Sequence, residues 1–178
     1  RSRRERVLAR GIKGETALHY AAVNGQVGVA RVLIVEGRAP VDDVNNEGYT
    51  PLSYAAVGGH PDVVRLLLAH GAAVDIGGRE GQTPLFDAAE CGHVEIVRVL
   101  LSRGASLNTR GKLRRTVLHI AAHHQRVEVV RLLLETVVAM VVDATDSGGF
   151  TALHCAAMYG LAEIATLLLE EGLATVDT

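Results

Sequence analysis

Residues 16–22 read TALHYAA, and the phrase returns as TPLSYAA from Thr50, TPLFDAA from Thr83, TVLHIAA from Thr116 and TALHCAA from Thr151. The starting threonines stand 34, 33, 33 and 35 residues apart. A period of this size belongs to a supersecondary unit that cannot bury its apolar face alone and stacks on its neighbours. The chain therefore reads as an array.

One unit, residues 45–77, can be divided by its punctuation: NNEGYTPLSYAAVGGHPDVVRLLLAHGAAVDIG. Thr50 suits an N-cap and Pro51 the first helical position, so a helix of about two turns should run to Val57 before Gly58 and Gly59 end it. A second helix follows from His60 or Pro61. Val63, Val64, Leu66, Leu67 and Leu68 form its apolar stripe, and Asp62, Arg65 and His70 are left to water. Gly71 stops it, and the glycine-punctuated stretch 72–81 suits an extended, hairpin-like finger. Ala55 and Ala56 recur as Ala21 and Ala22, Ala88 and Ala89, Ala121 and Ala122, and Ala156 and Ala157. These small side chains let helices approach closely. The second helices offer VARVLI, VVRLLL, IVRVLL, VVRLLL and IATLLL, faces too wide for a lone helix pair to bury.

The phrase, the following glycine, the V-x-L-L-L helix and the G-A-x-V-N finger closely resemble the ankyrin repeat signature T-P-L-H-x-A and its continuation. The resemblance covers residues 11–178 and implies an all-α solenoid: a curved stack of helix-turn-helix units with projecting β-hairpin fingers and a concave surface. The repeats fall at about 11–44, 45–77, 78–110, 111–145 and 146–178. The resemblance also implies that His19, His119 and His154 hydrogen-bond within their own turns, which open at Thr16, Thr116 and Thr151, and to the next repeat. Ser53 and Phe86 stand in place of that histidine in the copies opened by Thr50 and Thr83, so part of the network should be absent.

Repeat one has an extra finger residue near Pro40, which stiffens it. Repeat four departs most: Arg114 replaces Gly14, Gly48, Gly81 and Gly149 of the other copies, and Gln125 replaces Gly25, Gly59, Gly92 and Gly160. Its second helix runs into Thr136-Val137-Val138, so local strain or a longer last turn is expected. Residues 1–10 hold five arginines and one glutamate. They read either as a solvated tail or as the remnant of a preceding repeat's helix, with Val7-Leu8 able to pack on repeat one. Residues 173–178 should reach only the start of a finger, and both ends look cut from a longer array or a larger protein.

A hydrophobic fraction of 48% is ample for a core, and with 3% aromatics and no Trp that core should be Ala, Val and Leu. A net charge of −2 gives no global pull toward nucleic acid or membrane. The most apolar run, VVAMVV at 137–142, is far too short to span a bilayer. Cys91 and Cys155 suggest free thiols and a reducing, intracellular setting, cytoplasmic or nuclear.

Catalytic and cofactor motifs fail on their residues. His119 and His123 share a helical face at i, i+4, but Ile120 stands where a zinc protease needs its glutamate, and no third ligand is supplied. Gly111-Lys112 lacks the upstream glycine of a phosphate loop, and no G-x-S-x-G is present. Glu90 would raise rather than lower the pKa of Cys91. The sequence therefore supports no enzyme, metal or cofactor.

In the family that the chain resembles, binding positions lie on finger tips and the first inner-helix face. Here they fall on Lys13, Glu15, Val23 and Asn24; on Asn46, Glu47, Tyr49 and Val57; on Arg79, Glu80, Gln82, Glu90 and Cys91; on Lys112, Leu113, Arg115, His123 and His124; and on Ser147, Phe150, Met158 and Tyr159. Tyr49, Phe150 and Tyr159 are expected as exposed anchors, in a chain short of aromatics. Met158 extends that patch or covers a missing neighbour. Arg110, Lys112, Arg114 and Arg115 crowd one finger, which either meets an acidic protein partner or phosphopeptide or is simply solvated. Finger three is mixed in sign, so no continuous basic track suits a nucleic-acid backbone. The reading is a non-enzymatic protein-interaction scaffold. Its alternative is a module that orients or restrains other domains of the same parent chain.

Overall fold

The computed structural model describes residues 2–136 and 142–174. Each copy of the repeated phrase opens a short inner helix: α2 (Ala17–Val23), α4 (Pro51–Gly58), α6 (Pro84–Cys91), α8 (Val117–His123) and α10 (Ala152–Met158). Each is followed by an outer helix: α3 (Val27–Val35), α5 (Pro61–Ala69), α7 (Val94–Ser102), α9 (Val127–Thr136) and α11 (Ala162–Ala174). The threonine before each inner helix is in extended backbone, and the hydroxyls of Thr50, Thr116 and Thr151 accept the N–H three residues on. Gly59 and Gly92, left-handed at φ 75° and 83°, end α4 and α6.

Inner helices pack on inner helices and outer on outer, in chain order, which makes a two-layer all-α solenoid. The alanine pairs form the inner seam and are buried in repeats one to four, while Ala157, at the last repeat, is exposed. Leu67, Leu100 and Leu133 fill equivalent places between the layers, fully buried, each contributing about 1.5–3 kcal/mol. Among the described residues no helix is long and apolar enough to cross a membrane.

Neighbouring repeats are also laced by a periodic polar contact. The residue before α5, α7 and α9 donates its side-chain N–H to a late carbonyl of the inner helix one repeat earlier: His60 Nε2 to Val23 (3.0 Å), His93 Nε2 to Val57 (3.2 Å) and Arg126 Nε to Glu90 (2.8 Å). Gly59 seats the His93 ring, since a Cβ there would run into it.

The fingers are tighter than expected. Among the described residues there is no β-strand, and each finger is a tight turn held by at least two backbone bonds, as from Asn45 N–H to Tyr49 C=O (3.0 Å) with Gly48 N–H to Asn45 C=O (3.0 Å), and from Gly78 to Gln82 (2.8 Å) with Gly81 to Gly78 (3.1 Å). Five-residue tips that contain a left-handed residue leave no room for an alternating ladder. Adjacent tips instead bond to each other, Asn46 N–H to Lys13 C=O (2.9 Å) and Ser147 N–H to Leu113 C=O (2.8 Å). In repeat four, Arg114 and Gln125 take up the left-handed conformation of the glycines they replace, at φ 57° and 59°. That strain is the one anticipated for this copy.

At the start, Ser2 caps a five-residue helix α1 (Arg3–Val7), and Val7 packs partly against the core. At the end, Leu173 and Ala174 complete α11 rather than opening a finger. Residues 137–141, where a longer repeat-four helix was expected, and 175–178 lie outside the described residues.

Candidate functional site

The motif histidines are structural. Thr16 N–H donates to His19 Nδ1 (3.1 Å), which leaves Nε2 to carry the proton and donate to Tyr49 C=O of the next repeat (3.0 Å). His119 repeats this with Thr116 (3.3 Å) and Phe150 (2.9 Å). Burial, opposed by the carbonyl contact, lowers the pKa of both rings, so they are neutral at pH 7. With both nitrogens engaged, His119 has none to offer a metal. Among the described residues His154 hydrogen-bonds only to Thr151, and it is exposed. In repeat three Phe86 replaces the histidine, and the Thr83 hydroxyl is buried without a partner. The Phe86 edge instead lies against Gly111 of the next finger.

Most of the arginines of finger four turn out to be engaged. Arg110 donates to the Arg114 and Thr145 carbonyls (3.3 and 3.4 Å), Lys112 pairs with Glu80 (3.5 Å) and Arg115 with Asp146 (3.5 Å). His124 Nε2 stands 3.6 Å from Glu90. Burial raises the Asp146 carboxyl, but N–H groups of Gly148 and Phe150 together with Arg115 outweigh it and hold its pKa below the ordinary value. Arg79 remains exposed.

Beside this finger, repeats four and five enclose a cleft of ≈ 220 Å³. Leu113, Phe150, Met158 and Tyr159 give it an exposed apolar rim, and Arg115, His123 and Asp146 give it a polar side. Ser147 lies at its edge and Cys155 in its wall. His123 stacks edge-on with Tyr159 and with His124, ring centres 5.0 Å apart in both pairs, and its buried Nδ1 has no partner. Burial first, then Arg115 and His124, lower its pKa.

A second cleft of ≈ 280 Å³ lies across repeats one to three, bounded by Val23, Glu47, Tyr49, Tyr54 and Val57, with Ser53 and Asp87 also lining it. Val57 and Glu47 are exposed as expected, but Tyr49 is not a free anchor. Its hydroxyl donates to Gln82 Oε1 (2.9 Å) and its ring covers Gly78, so it fastens finger two to finger three. Asp87 is 6% exposed, and burial pushes its pKa up to about 7. Ser53 stands close enough to favour the charged form and so opposes that burial, although its hydroxyl and Asp87 Oδ2 fall short of hydrogen-bond geometry.

A family model described as ankyrin repeats (3 copies) matches residues 4–78, 37–111 and 108–177. The chain belongs to the ankyrin repeat family. No curated protein matches it.

Of the ankyrin positions expected to vary, the fold brings Leu113, Arg115, His123, Phe150, Met158 and Tyr159 into one cleft, and Glu47, Tyr49 and Val57 into the other. Glu15 is buried and accepts from Tyr54 Oη (3.4 Å), while Asn24 caps its own helix through the Tyr20 carbonyl (2.8 Å). The half-buried Cys91 thiol is pushed up by burial, then by Glu90 and Asp87, the opposite of an activated nucleophile. Sequence reasoning overlooked Asp87. The signal was available: Tyr20, Tyr54, Ile120 and Cys155 occupy its place in the other copies, so a carboxylate there stands out.

Proposed function

We propose that this ankyrin stack is a non-enzymatic interaction module that holds a protein partner along the face shared by inner helices and fingers, centred on repeats four and five. Ankyrin repeats are generally protein–protein interaction modules. The observation that carries the placement is the rim of Leu113, Phe150, Met158 and Tyr159. Four large apolar side chains remain exposed around one cleft, in a chain with few aromatics. Such a rim with a polar side is what an interface anchor site requires. The two free cysteines fit a reducing, intracellular setting.

Binding is tested by selecting peptides from a random display library on the wild-type chain, then measuring their affinity for Met158→Ser and Tyr159→Ala variants. Both residues are exposed, so melting should shift little. A loss of about tenfold or more is expected in each variant. Undiminished affinity in both would refute the placement.

A further inference from the structure

The cleft across repeats one to three contains two groups with nothing to bind. Asp87 Oδ2 and Ser53 Oγ are buried side-chain atoms that make no hydrogen bond of normal geometry, and both residues line this one cleft, with Ser53 near enough to favour the charged Asp87 carboxylate. Buried polar groups are normally paired, and an unpaired carboxyl in apolar surroundings is held at substantial cost. Above them, Val23, Val57 and the tyrosine rings form walls that are mostly apolar.

The electrostatics of the cleft have one sign. The Tyr49 phenol is raised by burial and then by four carboxylates, Asp87, Glu47, Glu80 and Glu90. Of these, Glu80 is met by Lys112 and Glu90 by His124. Among the described residues no cation pairs with Glu47 or Asp87. The cleft therefore combines an acidic field, an apolar shaft and hydrogen-bond acceptors at depth.

We propose that this cleft is a subsite for a lysine side chain of the protein partner, the methylene stem lying between Val23, Val57 and Tyr54 and the ammonium donating to the Asp87 carboxylate as it turns toward the cleft beside Ser53. An ammonium is a compact donor on an apolar stem, which suits a mostly apolar cleft with one carboxylate at its floor, whereas a guanidinium needs a planar fork of acceptors. The subsite rests on the protein-binding reading above, and occupies the opposite end of the same face. Entry of the cation requires the charged carboxylate, so binding releases the proton that Asp87 holds in the empty cleft.

Two measurements separate the subsite from the reading on which it rests. In the first, the Asp87 carboxyl carbon is titrated by NMR in the 178-residue chain with n-butylammonium chloride. Matched sodium chloride with 1-butanol serves as control. The ammonium should move the midpoint toward acid by about one pH unit, and the control should not. Equal midpoints would overturn the subsite without any variant having to fold. In the second, library peptides that bind wild type are remade with lysine, arginine or norleucine at each position. A lysine should be preferred at one position, and Asp87→Asn should weaken that peptide by about tenfold while leaving its norleucine counterpart unchanged. Peptides that bind with no lysine preference, or with arginine preferred, overturn the subsite and leave the interaction reading standing. An ammonium response with no selected peptide does the reverse.

Discussion

Replacing Asp87 by Asn should remove one component of the pH dependence of stability and leave the protein more stable in mild alkali. The carboxyl holds its proton to about 7 in the fold, against 3.8 as its ordinary value. Between those values the folded state binds more protons than the unfolded state. Its contribution is fully present below 3.8, declines as pH rises, and is exhausted above about 7. At about 1.4 kcal/mol per pH unit, the whole interval amounts to about 4 kcal/mol. His19 and His119 tilt the curve the other way. Burial lowers their folded pKa, so their contribution is complete above 6.5 and is lost as pH falls below it through the folded value. Subtracting the variant from wild type at each pH cancels those histidines. Urea unfolding followed by circular dichroism should show near-equal stabilities at about pH 4, and an advantage for Asp87→Asn of about 3–4 kcal/mol at about pH 8.5. The Asn amide adds no charge to desolvate. An advantage that is the same at both pH values, or below about 1 kcal/mol at the higher one, would refute a buried, partnerless carboxyl.

Five further substitutions test the frame around the clefts. His119→Ala empties a fully buried site and breaks the bridge to Phe150, and should lower stability by about 2–4 kcal/mol; His154→Ala, exposed and hydrogen-bonded only to Thr151 among the described residues, should cost under about 1 kcal/mol, and equal losses in urea would sink the bridging role. Gln125→Gly relieves a left-handed L-residue and should raise stability by about 1 kcal/mol, readable as a higher melting temperature; an unchanged or lower one contradicts the strain. Tyr49→Phe should lose about 1 kcal/mol for its bond to Gln82 while Tyr49→Ala loses more by uncovering Gly78, and if both are neutral in urea unfolding, Tyr49 does not fasten the fingers.

The stack was legible in the sequence because its causes are local and repeated. Threonine caps, Pro51, the alanine pairs and the V-x-L-L-L stripes each act within a few residues, and the period shows what each copy must pack on. The strain at Arg114 and Gln125 was legible for the same reason, as a departure from glycine at a position whose conformation the other copies reveal. The sites were less so. Tyr49 was expected as a free anchor, yet its neighbour in space is Gly78, 29 positions on in the next finger. The basic finger was expected as a charge patch, yet Glu80 and Asp146, partners for two of its cations, belong to adjacent repeats. Whether a side chain is spent on stacking or left for a ligand is decided between repeats, and a single repeat's sequence does not contain its neighbour.

That distinction explains why the cleft lies where it does. The motif histidine joins repeat one to two and repeat four to five by the same bond, from Nε2 to the carbonyl before the next threonine. At the third position in the series, repeat three to four, Phe86 makes the junction with apolar contact on Gly111 instead. Only between repeats two and three is the bridging side chain reduced to a serine, whose hydroxyl bonds to nothing. The volume that a histidine occupies elsewhere is left open there, and Asp87 of the next inner helix lines the space. A serine alone would leave a small void, and an aspartate alone would find the histidine as its partner. Together they convert a stacking position into an acidic cleft, so the departure from the repeated phrase, rather than the phrase, is what gives this face a chemistry of its own.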